Sequence, residues 1–364
     1  MPILRAMLWL LVTVGSLGAA APELCLPTDN HHLMSGEPEK FFMYVDRTVE
    51  GVASKPWEGG TFGLVRTPVK VNGETVCRQF HEGIDISPVS RDKAGNPLDV
   101  VGSIAGGTVV HISPTSGNSN YGKYVVVEHR WEDSAVCSLY AHLAEITCKP
   151  GDEVKAGDPL GRMGYTGAGI NRTRAHLHLE LGLLLSARYQ DWHQATGKGV
   201  NRHGIYNGMN LAGTDISRFF TERAKNPELK FSEFVTATPV YFKVAVPAKG
   251  IPELAQRYPW LLPPVPPAPA AVAPAPSSWE IDFSATGLPV RIAPSQRQVT
   301  APVIVQVRPA AIPHRYLTRN LVTGVGGQAA LTQSGQQLVA LLMGDFPSTE
   351  VQAARPPPAV PKKG

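Results

Sequence analysis

The sequence predicts a mainly β protein with an antiparallel β core, a mostly helical extension and a small C-terminal α+β domain. Between residues 59 and 185, stretches rich in Val, Leu, Ile and Tyr alternate with stretches rich in Gly, Asn, Asp and Pro. Short strands separated by such turns are typical of antiparallel sheets. Residues 186–260 are more helical in pattern, and residues 279–346 combine a strand-like with a helix-like stretch.

The first residues have the layout of a secretory signal peptide. Arg5 precedes an apolar run from Met7 to about Leu17, and small residues follow. The run is shorter than the roughly 20 residues of a membrane span. We expect residues 1–20 to be removed after Ala20, with an uncleaved anchor as the less favoured alternative. The mature chain would be exported to the periplasm, the cell wall or the medium, without a membrane span.

The rest of the chain divides by composition. Residues 21–58 form an N-terminal segment ahead of the β core, and residues 261–278 are a Pro/Ala-rich stretch typical of an extended linker. In the extension, TDISRFFTERAKN predicts a helix capped by Thr214 or Asp215. Beyond the linker, VIVQVRP predicts a strand and QAALTQSGQQLVALLMG a helix, and residues 347–364 are expected to be a disordered tail.

The four cysteines of an exported chain suggest disulfide bonds. They are Cys25, Cys77, Cys137 and Cys148, which allow three pairings. We favour Cys137 with Cys148, across a short loop, and Cys25 with Cys77, with buried free thiols as the alternative. The sequence has no C-x-x-C pair, so zinc bound by cysteine is disfavoured.

The charge of the chain gives no support to nucleic-acid binding. A net charge of +4 is small for 364 residues and is not clustered. A mild basic balance suits contact with an acidic polymer such as a cell wall. The oligomeric state stays open.

Two short stretches concentrate histidines and carboxylates. In AHLHLEL, a strand would place His176, His178 and Glu180 on one face and the leucines on the other. In FHEGIDIS, an extended chain would place His81 and Asp85 on one face, with Gly83 leaving room for a ligand between them.

These residue types suit a catalytic zinc site. Such sites commonly use three N or O ligands and leave a fourth position for water. His81, Asp85 and one histidine of the HLH pair would supply the ligands. The other histidine would lie one strand repeat away, roughly 6–7 Å between Cα atoms, where it could handle the proton of the water. In LYAHLA, Tyr140 and His142 share a strand face, and His142 could also turn toward the site.

The motifs HEGID, YAHL and HLHLE, in this order, resemble the LytM/lysostaphin-type zinc metallopeptidases of peptidase family M23. The intervening stretches GGTFGLVRTP, YGKYVVVEH and KPGDEVKAGDPLGRMGYTG agree with this resemblance, which covers about Gly59 to Leu185. It implies an antiparallel β-sheet core of the barrel-sandwich type, with one zinc ion in a groove between long loops. The implied substrates are the peptide cross-links of peptidoglycan.

The resemblance also implies roles for single residues. His81, Asp85 and His178 would be the zinc ligands, and His142 and His176 the catalytic histidines, without deciding which is the general base. Glu180 either orients a ligand imidazole or is a solvated charge.

One loop departs from the family pattern. TRA precedes the HLH motif, where the family often has a Gly-Pro or Thr-Pro approach. Tyr140, Asn171, Arg172 and Arg174 are candidates for the wall of the substrate groove, and an ordinary exposed loop is the alternative for the last three.

The expected function is that of an exported zinc endopeptidase. It would hydrolyse peptide bonds in peptidoglycan stem peptides or cross-links through zinc-activated water, and the sequence does not select the bond. The alternatives are a non-catalytic wall-binding or amidase-activating module of the same fold, and a zinc endopeptidase acting on Gly-rich proteins. A metal-carrying structural protein is a further alternative.

Overall fold

The computed structural model describes residues 22–49, 51, 55–197, 199–206, 208–264 and 274–347. The predicted signal peptide, the middle of the predicted linker and nearly all of the predicted tail lie outside these residues. Within the described ranges, no helix has both the length and the apolar character that crossing a membrane requires.

The described part of the chain consists mostly of strands. They are β1 (Gly63–Val71), β2 (Glu74–His81), β3 (Ile84–Ile86), β4 (Val100–Gly102), β5 (Gly107–Ser113), β6 (Tyr124–Trp131), β7 (Ser134–Ala141), β8 (Glu145–Ile146), β9 (Glu153–Val154), β10 (Pro159–Arg162), β11 (Leu177–Leu184), β12 (Leu211–Gly213), β13 (Phe242–Pro247), β14 (Ser278–Phe283), β15 (Pro289–Ser295), β16 (Val303–Val307), β17 (Val322–Thr323) and β18 (Ala330–Leu331).

The helices are short. They are α1 (Pro38–Phe41), α2 (Tyr189–Ala195), α3 (Ile216–Lys225), α4 (Phe231–Thr236), α5 (Glu253–Arg257) and α6 (Gln333–Met343), with 3-10 turns at Pro56–Gly60, Arg172–Arg174, Pro259–Leu261 and His314–Tyr316.

The main sheet has the strand order β12-β11-β7-β6-β5-β9, and β3 also pairs with β11. Every pairing in it is antiparallel, so the predicted mainly β, antiparallel fold class is confirmed. The turn WEDS joins β6 to β7 through Glu132 and Asp133, whose φ angles are 50° and 57°. Two consecutive positive φ angles are typical of a two-residue hairpin turn that matches the twist of the strands.

Strand β11 lies in the interior of the protein. Its leucines Leu177, Leu179 and Leu181 are 0% exposed, in agreement with the predicted core face. Each such leucine contributes about 1.5–3 kcal/mol through burial. The opposite face, with its histidines and Glu180, is also buried, so its polar groups depend on partners within the protein.

A second sheet corrects the predicted domain division. Its order is β15-β14-β13-β16, and β13 belongs to the predicted helical extension whereas the others follow the predicted linker. The sheet therefore spans the linker, and the C-terminal unit begins at β13 rather than at residue 279. The extension also supplies β12 to the main sheet. The composition of the sequence indicated the linker. It gave no indication that strands on the two sides of the linker pair with each other.

The two predicted helices are confirmed. In α3, the Asp215 side chain accepts a hydrogen bond from the Arg218 backbone N–H at 3.1 Å, so Asp215 rather than Thr214 is the N-cap. In α6, Thr332 accepts from the Gly335 N–H at 3.1 Å, and Gly344 ends the helix with φ 65°.

The predicted disulfide pairs are wrong for this structure. All four cysteines are free thiols. Cys137 lies among the buried residues of one apolar cluster, whereas Cys148 packs against a different one, so the favoured pair is separated by the packing of the core. Cys25 directs its thiol to the Ser103 carbonyl, and Cys77 lies beside Arg47.

The pairing across the linker predicts the effect of a truncation. A chain that ends at residue 264 loses β14, β15 and β16, and β13 then has no pairing partner in its sheet. Phe242 also loses Phe283, whose ring stacks on it with the centroids 4.9 Å apart. We expect the melting temperature to fall by about 10 °C or more, measured by circular dichroism. A chain that ends at residue 347 keeps every described element and is the control; equal melting temperatures for both chains would contradict the shared sheet.

Candidate active site

Three strands bring the predicted ligands together. His81 ends β2, Asp85 lies in β3 and His178 lies in β11. β3 pairs antiparallel with β11 in a register that places Asp85 directly opposite His178. FHEGIDIS is thus not one continuous strand, because β2 ends before Gly83 and β3 begins after it. A Cβ at Gly83 would lie 2.1 Å from the Leu179 carbonyl oxygen, so the glycine permits strand approach and does not make room for a ligand.

The donor atoms converge on one point. Asp85 Oδ1 lies 3.0 Å from His81 Nε2 and 3.1 Å from His178 Nδ1, and the two nitrogens are 3.0 Å apart. A tetrahedral zinc ion with bonds of about 2.0–2.1 Å separates its ligands by roughly 3.3 Å. The three residues, each buried, therefore form a group that could hold a metal ion, and the donor set of two imidazoles and one carboxylate fits zinc.

Neighbouring acceptors orient both ligand imidazoles. His81 donates from Nδ1 to the Thr61 carbonyl at 2.7 Å, which leaves Nε2 facing Asp85 and available to a metal ion. His178 Nε2 lies 2.9 Å from Glu180 Oε1, which leaves Nδ1. Glu180 also accepts a hydrogen bond from the Tyr121 hydroxyl at 2.5 Å and is only 1% exposed. Glu180 is thus in the position of a group that orients a ligand, and the alternative of a solvated charge is wrong.

Arg66 is the second partner of Asp85. Its guanidinium donates to Asp85 Oδ2 from β1 and to the Gly59 carbonyl at 2.8 Å. Asp85 Oδ1 is thereby left to face the imidazoles. This role was not predicted, although Arg66 lies within the stretch GGTFGLVRTP that carried part of the resemblance. Tyr121, in the turn SGNSNYG, has no signal in the sequence that marks it as a site residue.

The two other predicted histidines face the same point. His142 donates from Nδ1 to the Thr166 carbonyl at 2.9 Å, and His176 donates from Nδ1 to the Arg174 carbonyl at 2.7 Å. In the neutral rings, Nε2 is then an acceptor. His176 Nε2 lies 3.3 Å from Asp85 Oδ1, so this ring is nearer the ligand group than one strand repeat suggested. The rings of His142 and His176 are 4.8 Å apart.

The backbone at His142 explains its orientation. β7 ends at Ala141, and His142 has φ 65°, in the left-handed region that is uncommon for residues other than glycine. The change in φ interrupts the strand alternation, so His142 does not share a face with Tyr140 as predicted. Its N–H donates to the Tyr121 carbonyl at 2.9 Å, which stabilises this conformation.

Burial and charge shift the pKa values of the site. Burial lowers the pKa of His81 and holds that of His142 well below its ordinary value. Burial opposes the ionisation of Asp85, but His176 and His81 prevail and hold its pKa well below the usual range. Burial also opposes protonation of His178, but hydrogen bonds to Asp85 and Glu180 raise its pKa to about 9.

Tyr140 is not a groove residue. It is 0% exposed and packs in the main apolar core. Its hydroxyl accepts hydrogen bonds from the Ile104 N–H at 2.8 Å and the Ser138 hydroxyl at 3.0 Å. The prediction assumed that strand phase carried Tyr140 to the side of His142, and the left-handed turn removes that relation.

The predicted loop residues lie in an exposed 3-10 turn. Asn171 caps the turn by accepting from the Arg174 N–H at 3.0 Å. Arg172 donates to the Ala94 carbonyl at 2.7 Å, and Arg174 donates to the Tyr44 carbonyl at 3.2 Å. The loop is therefore tied to its neighbours, and Arg174 joins it to the N-terminal segment. Contact of these residues with a substrate stays a prediction.

A comparison with known protein families agrees with the family resemblance of the motifs that form the site. Residues 79–190 match the model of peptidase family M23, so the resemblance to that family is confirmed over this range, which includes every predicted ligand and both further histidines.

Individual relatives are distant. The chain is 33% identical over 133 residues to a lipoprotein NlpD/LppB homolog of Pseudomonas aeruginosa, covering 36% of this chain and 38% of that protein. It is 26% identical over 153 residues to the outer membrane antigenic lipoprotein B of Histophilus somni, covering 42% and 40%. The chain thus spans about two fifths of these relatives. The catalytic domain of lysostaphin from Staphylococcus simulans is 21% identical with a TM-score of 0.28, covering 44% of this chain and 87% of that one.

The position of Glu180 predicts the result of its substitution. Glu180→Gln removes the charge that accepts from His178 and places an amide where Glu180 Oε2 is buried without a hydrogen-bond partner. We expect the affinity for Zn2+ to fall about 10- to 100-fold, measured by competition with a chromophoric chelator. Glu145→Gln, at an exposed carboxylate outside the site, is the control. An affinity within twofold of that control would show that Glu180 does not orient the ligand.

The pKa of His178 predicts the pH dependence of metal binding. Below about pH 9 the ring carries a proton on Nδ1, and a metal ion must displace it. The apparent Zn2+ affinity should therefore rise about tenfold per pH unit from roughly pH 7 and level off near 9. Calorimetry in buffers of different ionisation enthalpy should detect release of about one proton at neutral pH. Release of no proton in this range would contradict the assignment.

Proposed function

We propose that the domain is a zinc-dependent endopeptidase that hydrolyses peptide bonds in peptidoglycan stem peptides or cross-links. The observation that carries the proposal is the convergence of five side chains. Three donor atoms lie within 4.8 Å of one another, and the neighbouring His142 and His176 both have Nδ1 bonded to a backbone carbonyl. A site that only binds a metal for structure needs a fourth ligand but no further oriented histidines.

Zinc is the metal proposed for His81, Asp85 and His178. When bound, it would supply Lewis-acid polarisation of the scissile carbonyl and would lower the pKa of water into the neutral range. The protein contributes the donor geometry, because Thr61 and Glu180 fix the two imidazoles and Arg66 fixes the carboxylate.

The two further histidines would carry the proton. Burial lowers the pKa of His142, so its ring is neutral near pH 7 and Nε2 can accept a proton from attacking water. His176 Nε2 is directed to the same region, 3.3 Å from Asp85 Oδ1. One ring would accept the proton of the water at Nε2, and a ring that carries a proton on Nε2 would donate it in a hydrogen bond to the oxyanion that forms on the carbonyl. The geometry is equally suited to either assignment.

The cell envelope is the proposed location. The predicted signal peptide indicates export, and two of the relatives carry names that describe lipoproteins, one of them of the outer membrane. Peptidoglycan, a glycan polymer cross-linked by short peptides, lies in this compartment, and the match to peptidase family M23 supports a peptide as substrate.

Paired substitutions test the roles of the two histidines in AHLHLEL. His178→Ala removes a donor atom, so we expect loss of both bound zinc and activity. His176→Ala leaves the three donors, so we expect zinc content near one per chain and a fall in kcat of about 100-fold or more. Metal analysis of the purified variants and hydrolysis of sacculi measure both effects. His31→Ala, at an exposed histidine outside the site, is the control, and loss of zinc in His176→Ala would overturn the role assignment.

Mass spectrometry of muropeptides released from purified sacculi tests the activity and identifies the bond. Release should stop with a chelator and return with zinc. Zinc-loaded protein that binds sacculi but releases nothing would replace the proposal with that of a non-catalytic wall-binding module. Cleavage of Gly-rich proteins in place of sacculi would identify the other endopeptidase alternative.

A further inference from the structure

A basic cleft lies where the β1–β2 hairpin meets the C-terminal unit. It has a volume of about 540 Å³ and is lined by Arg78, Phe80, Arg315, Tyr316, Arg319 and Asn320. Two of these residues come from β2 and the others from the segment around the His314–Tyr316 turn. Neither part forms the cleft alone.

The charges of Arg78 and Arg315 are not neutralised within the cleft, whereas Arg319 is attracted by Glu82 and Glu180, which lie outside its lining. Three arginines line it, and no carboxylate is among its described lining residues. None of the three forms an ion pair within 4.0 Å with another described residue. Guanidinium groups bind carboxylates through two parallel hydrogen bonds, so a cleft with this lining is suited to an anion with planar oxygens.

Two of the guanidinium groups are held by aromatic rings. Arg319 lies over Phe80 at 3.9 Å and donates to the Thr286 carbonyl at 3.2 Å. Arg315 lies over Tyr316 at 4.8 Å and donates to its hydroxyl at 3.0 Å. Since these contacts restrict the side chains before a ligand arrives, less conformational entropy is lost on binding.

The backbone beneath Arg319 is strained. Arg319 and Asn320 have φ angles of 52° and 61°, two consecutive left-handed residues that are not glycine. The Asn320 N–H donates to the Arg315 carbonyl at 3.0 Å, and Thr332 donates to the Asn320 carbonyl, so the turn is held from both sides. Left-handed residues cost free energy and tend to persist at ligand-binding sites.

The cleft lies beside the candidate active site. Phe80 directly precedes His81, so the two side chains project to opposite faces of the same strand. An extended peptide advances about 3.3 Å per residue. Arg319, which stacks on Phe80, also attracts Glu180, the partner of His178. The cleft therefore approaches the histidine site at Glu180, and a peptide that continues round the end of β2 could place a carboxylate in the cleft a few residues from the scissile bond.

We propose that this cleft binds a free carboxylate of an acidic peptide substrate and thereby selects the substrate of the neighbouring site. The inference rests on the proposed peptidase function and assigns the C-terminal unit a part in substrate binding. Arg78 and Arg315 are exposed and contact the ligand from opposite walls, whereas Arg319, stacked on Phe80, forms the floor.

The test uses the Arg78→Ala, Arg315→Ala double variant of the full chain. In the His176→Ala background, binding of a soluble stem peptide with free carboxylates is measured by calorimetry, and we expect its Kd to rise about tenfold or more. The same peptide with amidated carboxylates should bind weakly to both proteins. With His176 restored, the double variant should show the loss in KM rather than in kcat.

The matched control is Arg308→Ala, which removes an exposed arginine of the same C-terminal unit outside the cleft. Its peptide affinity and melting temperature should equal those of the parent. If the melting temperature falls only in the double variant, the Arg78→Lys, Arg315→Lys variant, which keeps both charges, is measured in its place. Loss of peptide binding by this folded variant would support recognition through the guanidinium groups. Full peptide binding by this variant would overturn that recognition.

Other outcomes separate this inference from the proposed function. The wild-type protein could hydrolyse sacculi while the double variant binds the peptide with an unchanged Kd. That result would overturn the proposed binding of a carboxylate in the cleft and would support the proposed peptidase. If the double variant lost affinity for a short poly(glycerol phosphate) but kept its affinity for the peptide, the bound anion would be a phosphate. That result would overturn the carboxylate assignment. Absence of hydrolysis, together with the expected change in Kd, would overturn the peptidase and the selection of its substrate by the cleft, and would support carboxylate binding by the cleft.

Discussion

The pairing of β3 with β11 is the constraint on which the site depends. It places Asp85 opposite His178, and the next strand on the other side of β11 is β7, which leads directly to His142. The approach of β3 requires a residue without a side chain at Gly83, because the Leu179 carbonyl occupies the space of a Cβ. A shift of one residue in this register would turn Asp85 away from the imidazoles. The site is therefore a consequence of sheet register more than of any loop.

Backbone carbonyls then fix the chemistry of the rings. Three of the four histidines donate from Nδ1 to a main-chain oxygen, which selects one tautomer and directs Nε2 to a common point. His178 is the exception, because Glu180 takes its Nε2 and leaves Nδ1. At His178, β11 is paired with β3 on one side and β7 on the other, and the acceptor beside Nε2 is the Glu180 side chain, two residues along the same strand.

The sequence was informative where the signal was local. Alternation in AHLHLEL and the order of three short motifs predicted the five side chains that the structure brings together, and capping residues located α3 and α6. The sequence was less informative where a structural feature depends on residues far apart in the chain or on the local backbone conformation. Arg66 reaches Asp85 from another hairpin, β13 pairs across the linker, and the left-handed φ of His142 separates it from Tyr140. The even number of cysteines did not predict disulfide pairing, since Cys137 and Cys148 pack in different apolar clusters.

The polar face of β11 sets a limit on how the protein can vary. His176, His178 and Glu180 are each no more than 5% exposed, and buried charges without partners are strongly destabilising. Their partners come from β3, from the turn that carries Tyr121 and from the hairpin that carries Arg66. Loss of any one would leave a buried polar group unsatisfied and cost about 1–3 kcal/mol. The contacts that orient the predicted ligands thus also maintain the fold, so a variant that removed one of them would lose stability as well as the geometry of the site.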